Sequence, residues 1–183
     1  NVILGEKILP LWGQGYITDY IGNVKYQISP LSFYQVNPVQ TELLYGKAIA
    51  YAGLTGKETV VDAYCGTGTI GIIAAKSAKK VIGVEIVEEA VKAAGENAKL
   101  NGLTNCEFIA GDVLKMLDTI SDRPDFIVLD PPRDGIHPKA LKKIIDYGVD
   151  RMIYALTCFH GQPMWKQFVC FQRNLDFLRF VGY

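Results

Sequence analysis

At 183 residues, 49% of them hydrophobic, the chain can bury a core of one ordinary domain, which excludes an intrinsically disordered segment. Nineteen basic residues cancel nineteen acidic ones, so no global field draws in a polyanion, and a nucleic-acid partner gains no support from net charge. The four cysteines, Cys65, Cys106, Cys158 and Cys170, form no C-x-x-C pair, which argues against zinc or a disulfide framework.

In chain order, residues 15–29, GYITDYIGNVKYQIS, carry β-branched and aromatic residues on both sides of Ile21-Gly22-Asn23 and predict a hairpin. The next stretch, NPVQTELLYGKAIAYAGL, predicts a helix with Pro38 in its first turn. Leu43, Leu44, Lys47, Ala48 and Tyr51 recur at helical spacing, and Gly53 is the stop. Residues 1–53 therefore read as a hairpin-and-helix segment leading into the main domain, residues 54–183.

From residue 59 the pattern alternates. Runs 59–64, 80–86, 106–112, 125–132 and 151–158 are short and apolar enough to be strands buried on both faces. Helices are predicted at about 69–79, 87–102, 113–120 and 137–147. In the second of these, Val87, Ala90, Val91, Ala94 and Ala98 share a face, and Asn101-Gly102 end it. The fold class is thus α/β, a mostly parallel sheet flanked by helices, with ligands expected beyond the strand C-termini.

The first strand ends in VVDAYCGTGTIG, where Gly66, Gly68 and Gly71 satisfy G-x-G-x-x-G. Nicotinamide-binding turns place the first glycine directly after the strand, whereas here Asp62 comes first and Ala63, Tyr64 and Cys65 intervene. An acid there repels a pyrophosphate but suits an ammonium group or orients the loop. Glu85 ends the next strand, where a carboxylate can accept both ribose hydroxyls. Asp112 ends the third, where it would meet an adenine amino group or cap the following helix. Three acids at successive strand ends outline a nucleoside with a cationic tail, S-adenosylmethionine.

With LDPPRDG (129–135) and SFYQVNP (32–38), the ordered motifs DAYCGTGTIG, GVE and GD resemble class I methyltransferases. More narrowly, they resemble the RNA uracil-5-methyltransferase family, over about residues 16–154 and again in RNLDFLRFVGY. The resemblance implies a Rossmann-like domain that methylates C5 of uridine in RNA, ribosomal RNA being preferred over transfer RNA, in the cytoplasm. It implies that Gln35 touches the methionine part of the cofactor, Tyr64 lines the pocket, Gly66 and Gly68 form the turn, Glu85 holds the ribose and Asp112 lies near adenine. Asp130 would sit beside cofactor and base, with Arg133 pairing a phosphate or an acid. Asp62 completes the cofactor set.

C5 of uracil is a poor nucleophile, so the family adds a cysteine thiolate to C6, transfers the methyl group to C5, removes the C5 proton with a base and releases the thiol. The implied nucleophile is Cys158, because IYALTC aligns with a strand ending in Ser-Cys; Cys170 is the fallback. Residues 155–172 depart from the family pattern, and Tyr183 falls before the glutamate that serves as base. The chain therefore reads as a catalytic-domain fragment that would not complete turnover alone, and its last strand is expected to present an unpaired edge. Trp12 and Trp165 are expected to pack, and His137 to open a helix beside Pro138. The rivals are an amino-group methyltransferase using Asp130-Pro131-Pro132-Arg133, a non-catalytic cofactor-binding module and, least favoured, a dehydrogenase.

Overall fold

A computed structural model describes residue 9 and residues 11–30, 32–35, 37–121, 123–132, 135–158, 165–172 and 175–181, with side chains described no further than Ala155. A two-stranded antiparallel hairpin, β1 (Ile17–Ile21) and β2 (Val24–Ile28), precedes helix α1 (Pro38–Ala52). Then follow β3 (Thr59–Ala63), α2 (Thr69–Ala75), β4 (Lys80–Glu85), α3 (Glu88–Leu100), β5 (Cys106–Ala110), α4 (Val113–Met116), β6 (Phe126–Leu129), α5 (Pro138–Asp146) and β7 (Arg151–Cys158). Strands β8 (Trp165–Gln172) and β9 (Leu175–Val181) close the order.

The main sheet runs β5-β4-β3-β6-β7-β8-β9. Its first five strands are parallel, as the alternation of apolar runs and helices predicts. β8 then pairs antiparallel with β7, and β9 with β8. The open edge expected at the last strand is thus at β9, while β7 lies inside the sheet. The stretch that departs from the family pattern supplies its new neighbour.

Alternating residues of the central strands build two apolar layers. Val60, Val81, Phe126, Val128 and Ile153 face the hairpin and helices α1 to α3; Val61, Ile82, Val84, Ile127 and Leu129 face α4 and α5. β3 and β6 are buried along their whole length, but β5 is an edge strand and only half-buried, not covered on both faces as its apolar run suggested.

Helix α1 begins where expected. Asn37 accepts a hydrogen bond from Gln40 N at its N-terminus, Pro38 fills the first turn and Gly53 ends it at φ 56°. Its buried face is not the expected one: Thr41, Tyr45, Ala48 and Ala52 point inward while Leu43 and Tyr51 are exposed. Small alanines let the helix approach the sheet closely, and the phenol of Tyr45 has polar company inside. Trp12, expected to pack, is exposed.

The hairpin is fastened to the domain by side-chain amides. Asn101 accepts from Lys25 N (2.9 Å) and donates to Lys25 O (2.7 Å), and Asn97 accepts from Gln27 N (2.8 Å) and donates to Gln27 O (3.3 Å). Two amides one helical turn apart on α3 thus take the place of a neighbouring strand along the outer side of β2. Lys76 at the end of α2 also reaches Asn23 in the hairpin turn (2.6 Å).

The packing around β4 gives a paired test. A Cβ at Gly83 would lie 2.4 Å from Phe108 and 2.9 Å from the Cys65 sulfur, whereas one at Gly95 on α3 would meet nothing within 4 Å. Gly83→Ala is expected to lower stability by about 1–3 kcal/mol. Gly95→Ala is expected to raise it by about 0.5–1 kcal/mol. Urea midpoints of the two variants check both signs.

Candidate active site

The C-terminal ends of β3, β4 and β6 bring acids together. Asp62, the penultimate residue of β3, is 1% exposed. Its Oδ2 accepts from Gly71 N at 2.8 Å, and its Oδ1 has no hydrogen-bond partner among the described residues. A Cβ at residue 71 would fall 2.8 Å from Oδ2, so only glycine lets the start of α2 come this close to the acid. Burial pushes the Asp62 carboxyl up to about 8, the Gly71 N–H opposes that, and the nearby charges of Asp130 and Glu85 add to it.

Between β3 and α2 the backbone takes left-handed conformations at Tyr64 (φ 68°), Gly66 (φ 54°) and Gly68 (φ 80°). For tyrosine that conformation costs about 1–2 kcal/mol. It is held because Tyr64 N and Cys65 N both donate to Val84 O (2.9 and 3.0 Å). Glu85 closes the turn from the other side. Its Oε2 accepts from Gly66 N (3.1 Å), and its Oε1 accepts from Ile86 N (2.8 Å) and Val87 N (3.1 Å). Glu85 thus fixes the glycine turn and the approach to α3 together, a role that sequence reasoning did not assign to it.

Asp112 caps α4, accepting from Lys115 N at 3.3 Å, and its charge helps to raise the half-buried Tyr64 phenol, after burial. The structure therefore gives Asp112 the capping role that was the alternative to adenine recognition. Asp130 is half-buried directly after β6, where Pro131 and Pro132 stop the strand. Behind it lies a residue the sequence did not single out. Tyr45 of α1 is buried, shares a hydrogen bond with Gln35 and is raised well above the ordinary phenol range, by burial first and then by the charge of Asp130. Asp62, Glu85, Asp130, Tyr45 and Gln35 thus form one neighbourhood, while Tyr64, Asp112 and Tyr154 form a second beside it.

The other candidates are placed less fully. Cys158 is the last residue of β7, four positions past Tyr154, the partner of Leu129 on β6. Its side chain lies outside the described residues, as do Arg133, His160 and the side chains of Trp165 and Cys170. By backbone register Cys170 stands opposite Ile153, deep in the strand, whereas Cys158 stands at the end where the acids gather. Cys65 is buried, and burial pushes its thiol well up, as expected of a packing cysteine. His137 does open α5, accepting from Lys139 N. An open cleft of about 440 Å³ lined by Ser121, Arg123, Asp146, Tyr147 and Gly148 lies at the opposite, N-terminal end of the strands, away from these acids. Among the described residues no helix is long and apolar enough to cross a membrane, and no His, Cys, Asp or Glu cluster could hold a metal ion.

Residues 54–162, which contain all three strand-end acids and the glycine turn, match the family model of the methyltransferase domain. The chain belongs to the methyltransferase-domain family. The chain is 49% identical over 154 residues to a Clostridium acetobutylicum protein named as an uncharacterized RNA methyltransferase, covering 84% of this chain and 34% of that protein. It is 51% identical over 157 residues to a protein of the same description from Halalkalibacterium halodurans, again with 84% and 34% covered. The chain therefore spans about a third of the length of these relatives.

Among solved structures it resembles the Pyrococcus abyssi tRNA (uracil-54, C5)-methyltransferase in complex with S-adenosyl-L-homocysteine. The TM-score is 0.68 and the identity 30%, with 79% of this chain and 35% of that one covered. A precorrin 8w decarboxylase from Methanobacterium thermoautotrophicum shares the fold at TM-score 0.62 and 20% identity, covering 85% of this chain and 90% of that one. The class I methyltransferase fold is thus common to different chemistries, and the substrate has to be read from side chains.

Asp62 gives the methyltransferase domain a pH dependence whose sign follows from its environment. Its value of about 8 in the folded chain lies above the carboxylate norm of about 4 expected on unfolding. The folded state therefore holds this proton more tightly, and the resulting stability is fully present below about pH 4 and lost as pH rises through the folded value. In Asp62→Asn the amide oxygen can still accept from Gly71 N and no charge can form. This variant is expected to flatten the fall in melting temperature between about pH 5 and pH 8. An unchanged slope in the thermal scans would place the proton elsewhere.

Proposed function

We propose that this domain binds S-adenosylmethionine and transfers its methyl group to C5 of a uridine in RNA, with Cys158 as nucleophile, in the cytoplasm. The observation that carries the cofactor assignment is Asp62 Oδ1, a buried carboxylate oxygen without a partner at the base of a glycine turn. Such an orphaned acceptor costs stability unless a donor arrives, and the ammonium group of a methionine tail is a donor of the right charge. Glu85 suits the ribose, because its Oε2 holds only the Gly66 N–H and keeps acceptor capacity, while Oε1 is occupied by Ile86 N and Val87 N. Gln35 is held by Tyr45 near Asp130, which fits a contact with the methionine part.

When bound, S-adenosylmethionine supplies an electrophilic methyl group. The chain's own contribution begins with Cys158. Its thiolate would add to C6 of uracil, moving the C5–C6 electron pair onto the C4 carbonyl and making C5 an enolate carbon. C5 would then take the methyl group, the C5–CH₃ bond forming as the sulfonium S–CH₃ bond breaks and S-adenosylhomocysteine leaves. Removal of the C5 proton by a base then regenerates the C5–C6 double bond and expels the thiolate. Asp130, half-buried beside the acids, would orient the base being methylated. The uridine C5 assignment rests on the LDPPRDG and SFYQVNP motifs and on the likeness to a tRNA uracil methyltransferase. Ribosomal RNA is the preferred substrate in this reading, to be compared directly with transfer RNA.

Two measurements test the two halves. Calorimetric titration with S-adenosylhomocysteine is expected to show saturable binding that weakens about tenfold or more in Glu85→Ala, a loss of ~1.4 kcal/mol. NAD should give no heat. Absence of binding by the parent chain would sink the cofactor assignment.

RNA bearing 5-fluorouridine, incubated with S-adenosylmethionine, tests the nucleophile without the final elimination: addition and methyl transfer proceed, and the adduct is trapped because fluorine cannot leave C5 as a cation. A covalent protein–RNA band is expected with the parent chain and not with Cys158→Ala, while Cys170→Ala retains it. A Cys158→Ala protein that still methylates RNA would favour amino-group transfer.

A further inference from the structure

The hairpin β1–β2 lies in the N-terminal segment, yet one of its hydrogen bonds ends on the glycine turn, and an α3 side chain that holds the hairpin reaches the turn as well. The Tyr26 phenol, fully buried, donates to Thr69 O at 2.9 Å. Asn97, 1% exposed, uses the amide nitrogen that meets Gln27 O to reach Thr67 O at 3.5 Å as well. Thr67 and Thr69 flank Gly68, the residue at φ 80° that starts α2. The two carbonyls on either side of the hinge-like glycine are therefore held from behind by groups that the hairpin fixes.

This matters because a turn with glycines at two of its three left-handed positions has little conformational preference of its own there. On the β3 and β4 side it is fixed by Val84 O and Glu85, and on the opposite side by Tyr26 and Asn97. Resting on the cofactor assignment above, we infer that Tyr26 and Asn97 are positioning residues of the cofactor turn and that the hairpin is a working part of the site. Neither group is required to touch the ligand. Each removes alternatives that the turn would otherwise visit, so the cofactor does not have to order it on binding.

The remaining hairpin fastenings supply the control. Asn101 holds Lys25 by two bonds and Lys76 holds Asn23, but neither side chain bonds to the turn. Tyr26→Phe and Asn97→Ala are expected to weaken S-adenosylhomocysteine binding by five- to twentyfold in calorimetry. Asn101→Ala and Lys76→Ala are expected to leave it within twofold, even where they lower the melting temperature as much. Tyr26→Phe keeps the buried ring and so remains measurable if Asn97→Ala unfolds. Equal weakening in all four variants, or none in Tyr26→Phe and Asn97→Ala, would overturn the inference.

Amide hydrogen exchange supplies a readout independent of the ligand. In Tyr26→Phe the amides of residues 68–72 are expected to lose protection while those of α5 do not, and unchanged protection would refute the positioning role. If the parent chain bound no S-adenosylhomocysteine, the cofactor assignment would fail by itself, and the exchange data would still decide whether the hairpin sets the turn.

Discussion

The contact between Asp62 and Gly71 organises everything around it. A carboxylate at the tip of the central strand is placed against the first turn of the following helix, with no room for a side chain between them. That bond ties the start of α2 to the tip of β3, and together with the bonds to Val84 O and Glu85 it holds the intervening residues on a tight path with three of them in left-handed backbone. Because one oxygen is used inward, the other is left buried and unsatisfied, so the structural requirement of the fold and the chemical requirement of a cationic ligand meet in one carboxyl group. Glu85 repeats the device less severely, spending its oxygens on loop amides at the rim.

How much of this could be read from the sequence depended on distance along the chain. The five parallel strands, the hairpin, the stops at Gly53 and Asn101, and the acid before the glycines are local signals, and each stands close to where its signal placed it. The face of α1 was not fully legible, because alanine and tyrosine read as weak apolar positions beside Leu43, which turns out to be exposed. Asn97 and Tyr26 were illegible for a different reason. Their partners lie 70 and 43 residues away, and a buried asparagine looks like any solvated one until the fold brings a strand edge to it. Tyr45 is a similar case, its meaning supplied by Gln35 and Asp130 from separate elements.

The division of labour within the site follows the same line. The groups proposed for the cofactor stand at the tips of β3 and β4, and those proposed for the substrate follow at the tips of β6 and β7, one step along the sheet. A fold shared with a decarboxylase at low identity is consistent with such an arrangement, since the glycine turn and its acids can persist while the neighbouring strand tips change.

The amide ladder between α3 and β2 has a limit built into its geometry. Four residues of helix advance about 6 Å, and two residues of strand advance about 6.8 Å. The two repeats agree well enough for Asn97 and Asn101 to meet Gln27 and Lys25, and a third rung would fall progressively out of step. A helix can therefore imitate a strand for two rungs, which is what a hairpin of five-residue strands needs. The imitation occupies the backbone groups along β2 that would otherwise invite another chain to add a strand. Solubility of the hairpin and its attachment to the domain are thus secured by the same pair of asparagines.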